Sequence, residues 1–313
     1  MNLLKNMAAD SVFRTPCDFP YCSFDFLDWN PVQMKCTGFF TKDCNLVVSA
    51  STASGKTAIA EAIMSYELCV NDEAKAVYVS PLKAIGSEKY ARWMKHDTFS
   101  KYVPLLVSSD SPASQSEFES SRLVVSTVES MLMRCRLRDR WISSVRVLVV
   151  DEAHLIGDAE RGAACESLVM SLSMLNPSTR ILMLSGTMGN CIEMAKWLKR
   201  CNGKETHFVN SSWRPCELAK RVITANTFQE QERSVFEIVK KSKDGIKILV
   251  FVNSKKTGER ISKQLRRRGI IAPFFHAGLG IGIRKRMIDD FKSKYSNVNV
   301  LICTSSLSMG INL

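Results

Sequence analysis

Short runs of β-branched and other apolar residues recur along most of the chain and predict buried strands. The first part of the chain contains the runs Leu46–Ser49, Ala76–Ser80, Leu105–Val107, Leu123–Ser126, Val145–Val150 and Ile181–Ser185. Most segments between them carry apolar residues at helical spacing, as at Ile59 and Ile63. Strands that are apolar on both faces and alternate with helices are typical of a parallel sheet covered on both sides. We therefore expect a doubly wound α/β lobe.

The alternation weakens between residues 202 and 245 and then resumes. The interval includes the polar run TANTFQEQERS, which favours a connection followed by an entry helix. The elements predicted after it are a strand Lys247–Val252, a helix Ser254–Arg268, a strand near Ile270–Phe274, a helix Gly282–Lys292 and a strand Val298–Cys303. We divide the chain into a segment with no assigned element (1–30), a first lobe (31–201), the connection (202–245) and a second, partial α/β lobe (246–313).

The charge balance points to a polyanionic partner. Lys and Arg number 43 against 31 Asp and Glu, a formal net charge of +12, which favours nucleic acid first and an acidic membrane surface second. No run approaches a spanning helix, and the first residues lack the apolar length of a secretory signal. We expect an intracellular protein, in the cytoplasm or nucleoid of a prokaryote or the nucleus of a eukaryote. The 11 cysteines lack C-x-x-C spacing and read as reduced core residues.

A glycine-containing loop directly follows the first predicted strand and opens a predicted helix. Its sequence, ASTASGKT over Ala50–Thr57, matches a phosphate-binding loop except that alanine stands at the first glycine position. Backbone N–H groups of such a loop and the positive end of the helix surround phosphate oxygens. Lys56 is expected to reach the β and γ phosphates and Thr57 to ligate Mg²⁺. The alternative is a chance Gly-Lys-Thr. The nucleotide-binding residues expected here are Ala53, Ser54, Gly55, Lys56 and Thr57.

Two acidic residues follow the predicted strand Val145–Val150 and begin the run DEAH. A carboxylate at the carboxyl end of a buried parallel strand points into the crevice where such sheets bind ligands. We expect Asp151 to hold Mg²⁺ and Glu152 to polarise the attacking water. Taken alone, acidic residues after a strand are usually a solvated strand end. The phosphate-binding loop earlier in the chain favours catalysis, with Lys56, Asp151 and Glu152 as the catalytic residues.

These motifs resemble those of the DExH-box helicases of superfamily two, and the resemblance covers roughly Pro31–Leu313. It implies two RecA-like lobes, the second incomplete at its carboxyl end. Within the superfamily, the sequences TASGKT, DEAHLIG and SWRP are similar to motifs of the archaeal fork-repair DNA helicases, which are relatives of the helicase part of polymerase theta. The resemblance also implies that Gln33, in a segment with Asn30, reads the adenine base.

The resemblance implies further site residues in both lobes. SPLKAI and STVES resemble motifs Ia and Ib, which line the nucleic-acid track, and SGT stands where the family has SAT, which links nucleotide state to the track. FVNS, HAGL and TSSLSMGINL resemble motifs IV, IVa and V. The residues implied are Lys83, Thr127, Asn253, Ser254, His276 and Thr304 for nucleic acid, His154, Ser185 and Thr187 for coupling, and Gly310 and Asn312 for the nucleotide.

Some of these features have structural alternatives. A lone histidine such as His276 could simply cap a strand, and Phe26 and Trp29 are more often packing residues than a platform for adenine. The basic clusters Arg134, Arg136, Arg138, Arg140 and Arg266–Arg268 could contact a nucleic-acid backbone or form solvated helix faces.

The function expected is an ATP-dependent DNA helicase motor that moves 3′ to 5′ on single-stranded or forked DNA as a monomer, with ATP and Mg²⁺ as cofactors. Closure of two lobes on ATP and opening after hydrolysis would move one lobe along the strand. An RNA helicase and a non-enzymatic, ATP-gated nucleic-acid-binding module are the alternatives. The family's motif VI arginines have no match before Leu313. We therefore expect these residues to bind ATP and nucleic acid, to hydrolyse slowly and not to unwind.

Overall fold

The computed structural model describes residues 13–159, 161–186, 188–242 and 245–304, with the backbone only at Ile281. The chain divides into two compact units, the first ending at Glu217 and the second beginning at Leu218. Each described unit contains a parallel sheet, which confirms the predicted α/β class. Within the described ranges, no helix has the length and apolar character needed to cross a bilayer.

The first unit is built on a seven-stranded sheet with the order β3-β4-β2-β5-β6-β1-β7, in which every pairing is parallel. Its strands are β1 (Asn45–Ala50), β2 (Lys75–Ser80), β3 (Leu105–Val107), β4 (Leu123–Thr127), β5 (Val145–Val150), β6 (Arg180–Ser185) and β7 (Thr206–Ser211). Its helices are α1 (Pro31–Cys36), α2 (Lys56–Val70), α3 (Lys83–Trp93), α4 (Gln115–Ser120), α5 (Val128–Leu137), α6 (Gly162–Leu175) and α7 (Cys191–Asn202).

Both faces of this sheet are buried, which explains why its strands read as continuous apolar runs. Successive strand residues point to opposite faces. In β1, Val48 lies in a core that also contains Ile59 of α2, whereas the neighbouring Val47 lies in a second core with Leu168 of α6. The six strands predicted in this unit are therefore confirmed, with ends that differ by at most one residue.

The aromatic residues before α1 belong to the core of the first unit. Within residues 13–30 the only helical turn is a 3₁₀ turn at Pro16–Asp18, in agreement with the absence of a predicted element. Trp29 is 6% exposed. Its ring lies 5.6 Å from that of Phe26 and 5.5 Å from that of Phe40, centroid to centroid. Trp29 and Phe26 are thus packing residues, as the structural alternative predicts.

The segment predicted as a connection contains the seventh strand of the first sheet. β7 pairs with β1 along its whole length, from Asn45 opposite Thr206 to Ala50 opposite Ser211. Only two residues of its sequence, THFVNS, are apolar, because β7 is an edge strand in which Val209 alone is buried. The first unit therefore extends past residue 201, where the sequence pattern placed its end.

The second unit contains a three-stranded parallel sheet with the order β8-β10-β9. Its elements are α8 (Phe228–Lys241), β8 (Ile248–Phe251), α9 (Lys255–Arg267), β9 (Phe274–Phe275), α10 (Ile281–Lys292) and β10 (Val300–Cys303). α8 is the predicted entry helix. The strand predicted near Ile270–Phe274 begins only at Phe274, because Pro273 has no N–H to donate to a neighbouring strand.

Val103 is an exposed β-branched residue in a left-handed conformation, with φ 52° and ψ 66°, between a 3₁₀ turn and β3. A side chain branched at Cβ is strained there. We predict that Val103→Gly raises the free energy of unfolding by about 1 kcal/mol.

Urea denaturation followed by tryptophan fluorescence checks this prediction, because all five tryptophans lie in the first unit. The matched control is Val70→Gly, at an equally exposed valine that ends α2. This control should lower stability, since glycine is unfavourable in a helix. A loss of stability for Val103→Gly would contradict the strain at this position.

Candidate functional site

Three adjacent strands of the first unit bring its predicted nucleotide motifs to one edge of the sheet. The sheet order places β6 between β5 and β1, and all three strands are parallel. The phosphate-binding loop follows β1, the SGT segment includes the last residue of β6, and Asp151 and Glu152 follow β5. Parallel strands end at the same edge, so motifs far apart in sequence become neighbours.

The phosphate-binding loop turns through two left-handed residues before α2 begins at Lys56. Ala53 has φ 62° and Gly55 has φ 75°, whereas Ala50 is the last residue of β1 and has no positive φ. Alanine in place of the first motif glycine is therefore compatible with the backbone. The positive φ at Ala53 is unfavourable for a residue with a Cβ, and such strain is concentrated at functional sites.

The start of α1 is fastened to this loop. The Asn30 side chain accepts hydrogen bonds from the backbone N–H groups of Val32 and Gln33, and its Nδ2 donates to the Ser54 carbonyl at 3.0 Å. Gln33 Nε2 donates to the Gly55 carbonyl at 3.3 Å, and Gln33 is 3% exposed. The amide of Gln33 thus supports the loop directly. Its reading of adenine stays a prediction.

Lys56 is the central cation of the loop. Its Nζ donates to the carbonyls of Ala50 at 2.8 Å and Ser51 at 2.9 Å. Burial lowers the pKa of Lys56, and the nearby carboxylates of Glu152 and Asp151 oppose that shift. Ser54 Oγ, in the same loop, is buried and has no hydrogen-bond partner among the described residues. A half-buried ammonium and an unpaired hydroxyl suit a phosphate.

Asp151 is held in one orientation by two donors. Its Oδ2 accepts a hydrogen bond from the hydroxyl of Tyr78, and its Oδ1 accepts one from the Glu152 N–H at 3.0 Å. Tyr78 lies in β2 and is fully buried. Burial and the charge of Asp151 raise the pKa of Tyr78 well above its usual value, so the phenol keeps the proton that it donates. Tyr78 is not part of any predicted motif, although a tyrosine inside a buried strand needs a partner for its hydroxyl.

Glu152 and His154 link the acidic pair to the SGT segment. Glu152 has φ 50°, and burial together with Asp151 raises its pKa. His154 Nδ1 lies 3.3 Å from Glu152 Oε2 and 3.4 Å from Ser185 Oγ. Of the predicted coupling residues, the structure therefore brings His154 and Ser185 together beside Glu152. Thr187 lies outside the described residues.

The backbone after Ser185 is fixed to β1 by a residue that the sequence analysis did not select. Ser49 Oγ donates to the Gly186 carbonyl at 3.0 Å and accepts from the Met188 N–H at 2.9 Å. Both bonds hold the SGT segment beside the strand that leads into the phosphate-binding loop. A small hydroxyl residue inside an otherwise apolar strand was the available signal.

The donor set near the phosphate-binding loop fits Mg²⁺. The predicted ligands Thr57 and Asp151 supply a hydroxyl and a carboxylate, the hard oxygen donors that Mg²⁺ prefers together with phosphate and water. Among the described residues, no group of three or more His, Cys, Asp and Glu side chains could form an all-protein metal cage. Lys89 of α3 lies against the same hydroxyl, because its Nζ donates to Thr57 Oγ1 at 2.9 Å.

Lys83 and Thr127 line one shallow cleft of the first unit, together with residues such as Gly86 and Val107. Lys83 Nζ donates to Asp110 Oδ2 at 2.7 Å and to Ser109 Oγ at 2.6 Å. The Thr127 side chain caps α5. The structure brings these two residues together, and their contact with nucleic acid stays a prediction.

The predicted nucleic-acid residues of the second unit share one edge of its sheet. Asn253 and Ser254 follow β8, His276 follows β9 and Thr304 follows β10, and the three strands are parallel. Ser254 caps α9 by accepting from the Thr257 N–H at 3.1 Å, and His276 Nδ1 accepts from the Gly278 N–H at 3.1 Å. Gly310 and Asn312 lie outside the described residues.

Two arginines of the predicted basic clusters are packing residues. Arg134 lies 4.4 Å from the centre of the Phe118 ring and 3.3 Å from an Asp139 carboxylate oxygen. Arg268 lies 3.7 Å from the centre of the Phe236 ring, which attaches the end of α9 to α8. Both ring contacts lie within one unit, and contact of either basic cluster with nucleic acid stays a prediction.

Comparison with known proteins places this geometry in a family. The sequence matches the family DEAD/DEAH box helicase over residues 30–195 and the family Helicase conserved C-terminal domain over residues 229–313. ATP-dependent DNA helicase Hel308 of Pyrococcus horikoshii is 31% identical over an alignment of 326 positions, gaps included, which covers 90% of this chain and 43% of the relative. Hel308 of Thermococcus kodakarensis is 35% identical over 227 residues, which cover 69% of this chain and 19% of that relative. The chain spans less than half the length of these relatives.

A solved structure, S. cerevisiae Dbp5 bound to RNA and ADP BeF3, has a similar fold. The TM-score is 0.67 at 19% identity, with 91% of this chain and 72% of that chain covered. At this identity the similarity supports the RecA-like fold alone. The family matches and the Hel308 relatives confirm the resemblance stated from the motifs. The chain belongs to the DEAD/DEAH box helicases of superfamily two.

Proposed function

We propose that this chain carries the motor of an ATP-dependent DNA helicase, which hydrolyses ATP with Mg²⁺ and moves 3′ to 5′ along single-stranded or forked DNA. The observation that supports it most is that the phosphate-binding loop, Asp151 and Glu152 lie at one edge of the sheet, at the ends of β1 and β5 on either side of β6. The Hel308 relatives are named ATP-dependent DNA helicases, which supports DNA as the nucleic acid. The net charge of +12 suits either DNA or RNA.

Each residue of the site has a distinct task in this proposal. The loop N–H groups and Lys56 bind the triphosphate, and Thr57 and Asp151 would hold Mg²⁺, which supplies neutralisation of phosphate charge. Glu152 orients the attacking water and accepts its proton. Burial beside Asp151 raises the pKa of Glu152, and a carboxylate with a higher pKa is the stronger proton acceptor.

Coupling to nucleic acid would run through contacts within the first unit. His154 lies between Glu152 and Ser185, at 3.3 and 3.4 Å. A change at Glu152 on hydrolysis would alter its attraction to His154 and, through it, the position of the SGT segment. Lys83 and Thr127 would bind the nucleic-acid backbone. This arrangement supports a motor over a passive binding module.

The direct test is ATP turnover with and without single-stranded DNA, compared with RNA of equal length and sequence. We expect stronger stimulation by DNA. Lys56→Ala should reduce turnover by about 100-fold or more, because it removes a charge that stabilises the transferring phosphoryl group. Lys95→Ala, at an exposed lysine of the same unit, should leave turnover unchanged.

Stimulation by RNA alone would contradict DNA as the substrate. Binding of nucleic acid that changes with ATP, without turnover above the Lys56→Ala variant, would favour the ATP-gated binding module instead.

The glycine of the phosphate-binding loop has no room for a side chain. A Cβ at Gly55 would lie 2.3 Å from Gln33 Nε2, and the residue has φ 75°. We expect Gly55→Ala to weaken nucleotide affinity about 10-fold or more, because it both strains the loop and displaces Gln33. Isothermal titration with ADP and Mg²⁺ measures the loss.

The matched control for this loop is Gly203→Ala. Gly203 also has φ 75°, but its Cβ would have no neighbour within 4 Å. This variant should lose stability and keep nucleotide affinity. Equal affinity losses in the two variants would show that the contact with Gln33 is unimportant.

The carboxylate of Asp110 pairs with Lys83 at 2.7 Å. If Lys83 binds a backbone phosphate, Asp110 competes with that phosphate. We expect Asp110→Asn to raise affinity for single-stranded DNA about two- to fivefold at low salt, and the gain to fade as salt screens the pair. Fluorescence anisotropy at several salt concentrations measures it.

Asp97→Asn, at another exposed aspartate of the first unit, is the control for the change in net charge. If both variants gain the same affinity for single-stranded DNA, the effect of Asp110→Asn comes from the change in net charge alone. An unchanged affinity in Asp110→Asn would argue against Lys83 as a phosphate contact.

A further inference from the structure

Lys89 is a buried lysine that no motif of the sequence analysis assigned to the site. It lies in α3 and is 8% exposed. Its Nζ donates to Thr57 Oγ1 at 2.9 Å, across 32 residues of sequence. Within the described ranges, this hydroxyl is the hydrogen-bond partner found for the ammonium. A buried cation is costly unless it is paired or has an anionic ligand to face.

The contact is set by the packing of α3 on α2. One turn further along both helices, Trp93 Nε1 donates to Glu61 Oε1 at 2.8 Å. Thr57 and Glu61 are four residues apart, as are Lys89 and Trp93, so each pair lies on one face of its helix. The two helices are therefore joined at two successive levels. The Glu61–Trp93 bond should keep α3 in place when the contact at Lys89 is removed.

The same helix also reaches the second predicted metal ligand. The ring of Trp93 packs edge-on against Tyr78 at 5.0 Å, and Tyr78 donates its hydroxyl hydrogen bond to Asp151. α3 begins at Lys83, which lines the shallow cleft of the first unit that also includes Thr127. One helix thus contacts Thr57 directly, Asp151 through Tyr78, and the cleft at its first residue.

The position of Lys89 has a chemical consequence for Mg²⁺. A hydroxyl oxygen has two lone pairs, and an ammonium that donates to it occupies one of them. A second cation on the same oxygen would be repelled by the first. The ammonium has three N–H donors, and the hydroxyl of Thr57 uses one. The remaining donors suit the oxygens of a bound diphosphate or triphosphate.

We propose that Lys89 is an exchangeable cation of the nucleotide site, an inference that rests on the proposed nucleotide binding. Without a divalent ion, Lys89 holds the Thr57 hydroxyl and compensates the charge of the nucleotide. When Mg²⁺ enters with the nucleotide, Lys89 gives up that hydroxyl to the metal.

The test uses the full chain and the Lys89→Met variant, which keeps the length of the side chain and removes its charge. Affinity for a fluorescent N-methylanthraniloyl derivative of ADP is measured in EDTA and across a Mg²⁺ titration. Loss of one charged hydrogen-bonding group should weaken metal-free binding by a factor of about 3 to 10. Loss of the competing cation should also lower, by a similar factor of about 3 to 10, the Mg²⁺ concentration at which the gain in nucleotide affinity is half complete.

Two further variants define the result. Lys89→Arg keeps the positive charge and should retain most of the metal-free affinity. Lys95→Met, at an exposed lysine just after α3, should behave as the wild type in both conditions. Tryptophan fluorescence melting checks that each variant is folded. Should Lys89→Met fail to fold, Lys89→Gln replaces it with a polar side chain in the same measurement.

If Lys89→Met lowers affinity for the ADP derivative by the same factor with and without Mg²⁺, Lys89 only stabilises the packing of α3. That result would overturn the inference. Unchanged binding in both conditions would also overturn it. These outcomes differ from a failure of the proposed function, in which the wild-type chain itself would bind no nucleotide.

Discussion

The parallel pairing of β5, β6 and β1 is the constraint on which the candidate site depends. Between two parallel strands the chain must cross back to the edge of the sheet where strands begin. The loops that follow the strands therefore all lie at the opposite edge, where the strands end. The phosphate-binding loop and Asp151 are thereby brought to one edge, with the SGT segment between them. A change of register in any of these strands would separate the groups of the candidate site.

Buried polar groups then fix the orientation of the residues that the sheet assembles. Tyr78 and the Glu152 N–H hold the Asp151 carboxylate, Asn30 and Gln33 support the phosphate-binding loop, and Ser49 holds the segment after β6. The residues that supply these donors are buried or half-buried, and a hydrogen bond left unmade there is costly. These bonds preorganise the candidate site, as electrostatic catalysis requires.

The sequence was sufficient for the parts of this account that depend on local pattern. Strands buried on both faces were identifiable from their apolar runs, and Lys56, Asp151 and Glu152 from motifs placed at strand ends. β7 was missed because an edge strand needs little apolar surface, and β9 was shifted by Pro273. Tyr78 and Lys89 could not be selected because their roles arise from contacts with Asp151 and Thr57, which are distant in sequence. Those contacts exist only after α3 and β2 have packed.

The most direct measurement is a crystal structure of the chain with Mg²⁺ and a non-hydrolysable ATP analogue. We expect Lys56 to leave the carbonyls of Ala50 and Ser51 for the phosphate chain, and the metal to lie between Thr57 and Asp151 with Glu152 facing the terminal phosphate. A nucleotide bound elsewhere would rule out this site. So would a nucleotide in this loop with Asp151 and Glu152 turned away from its phosphates.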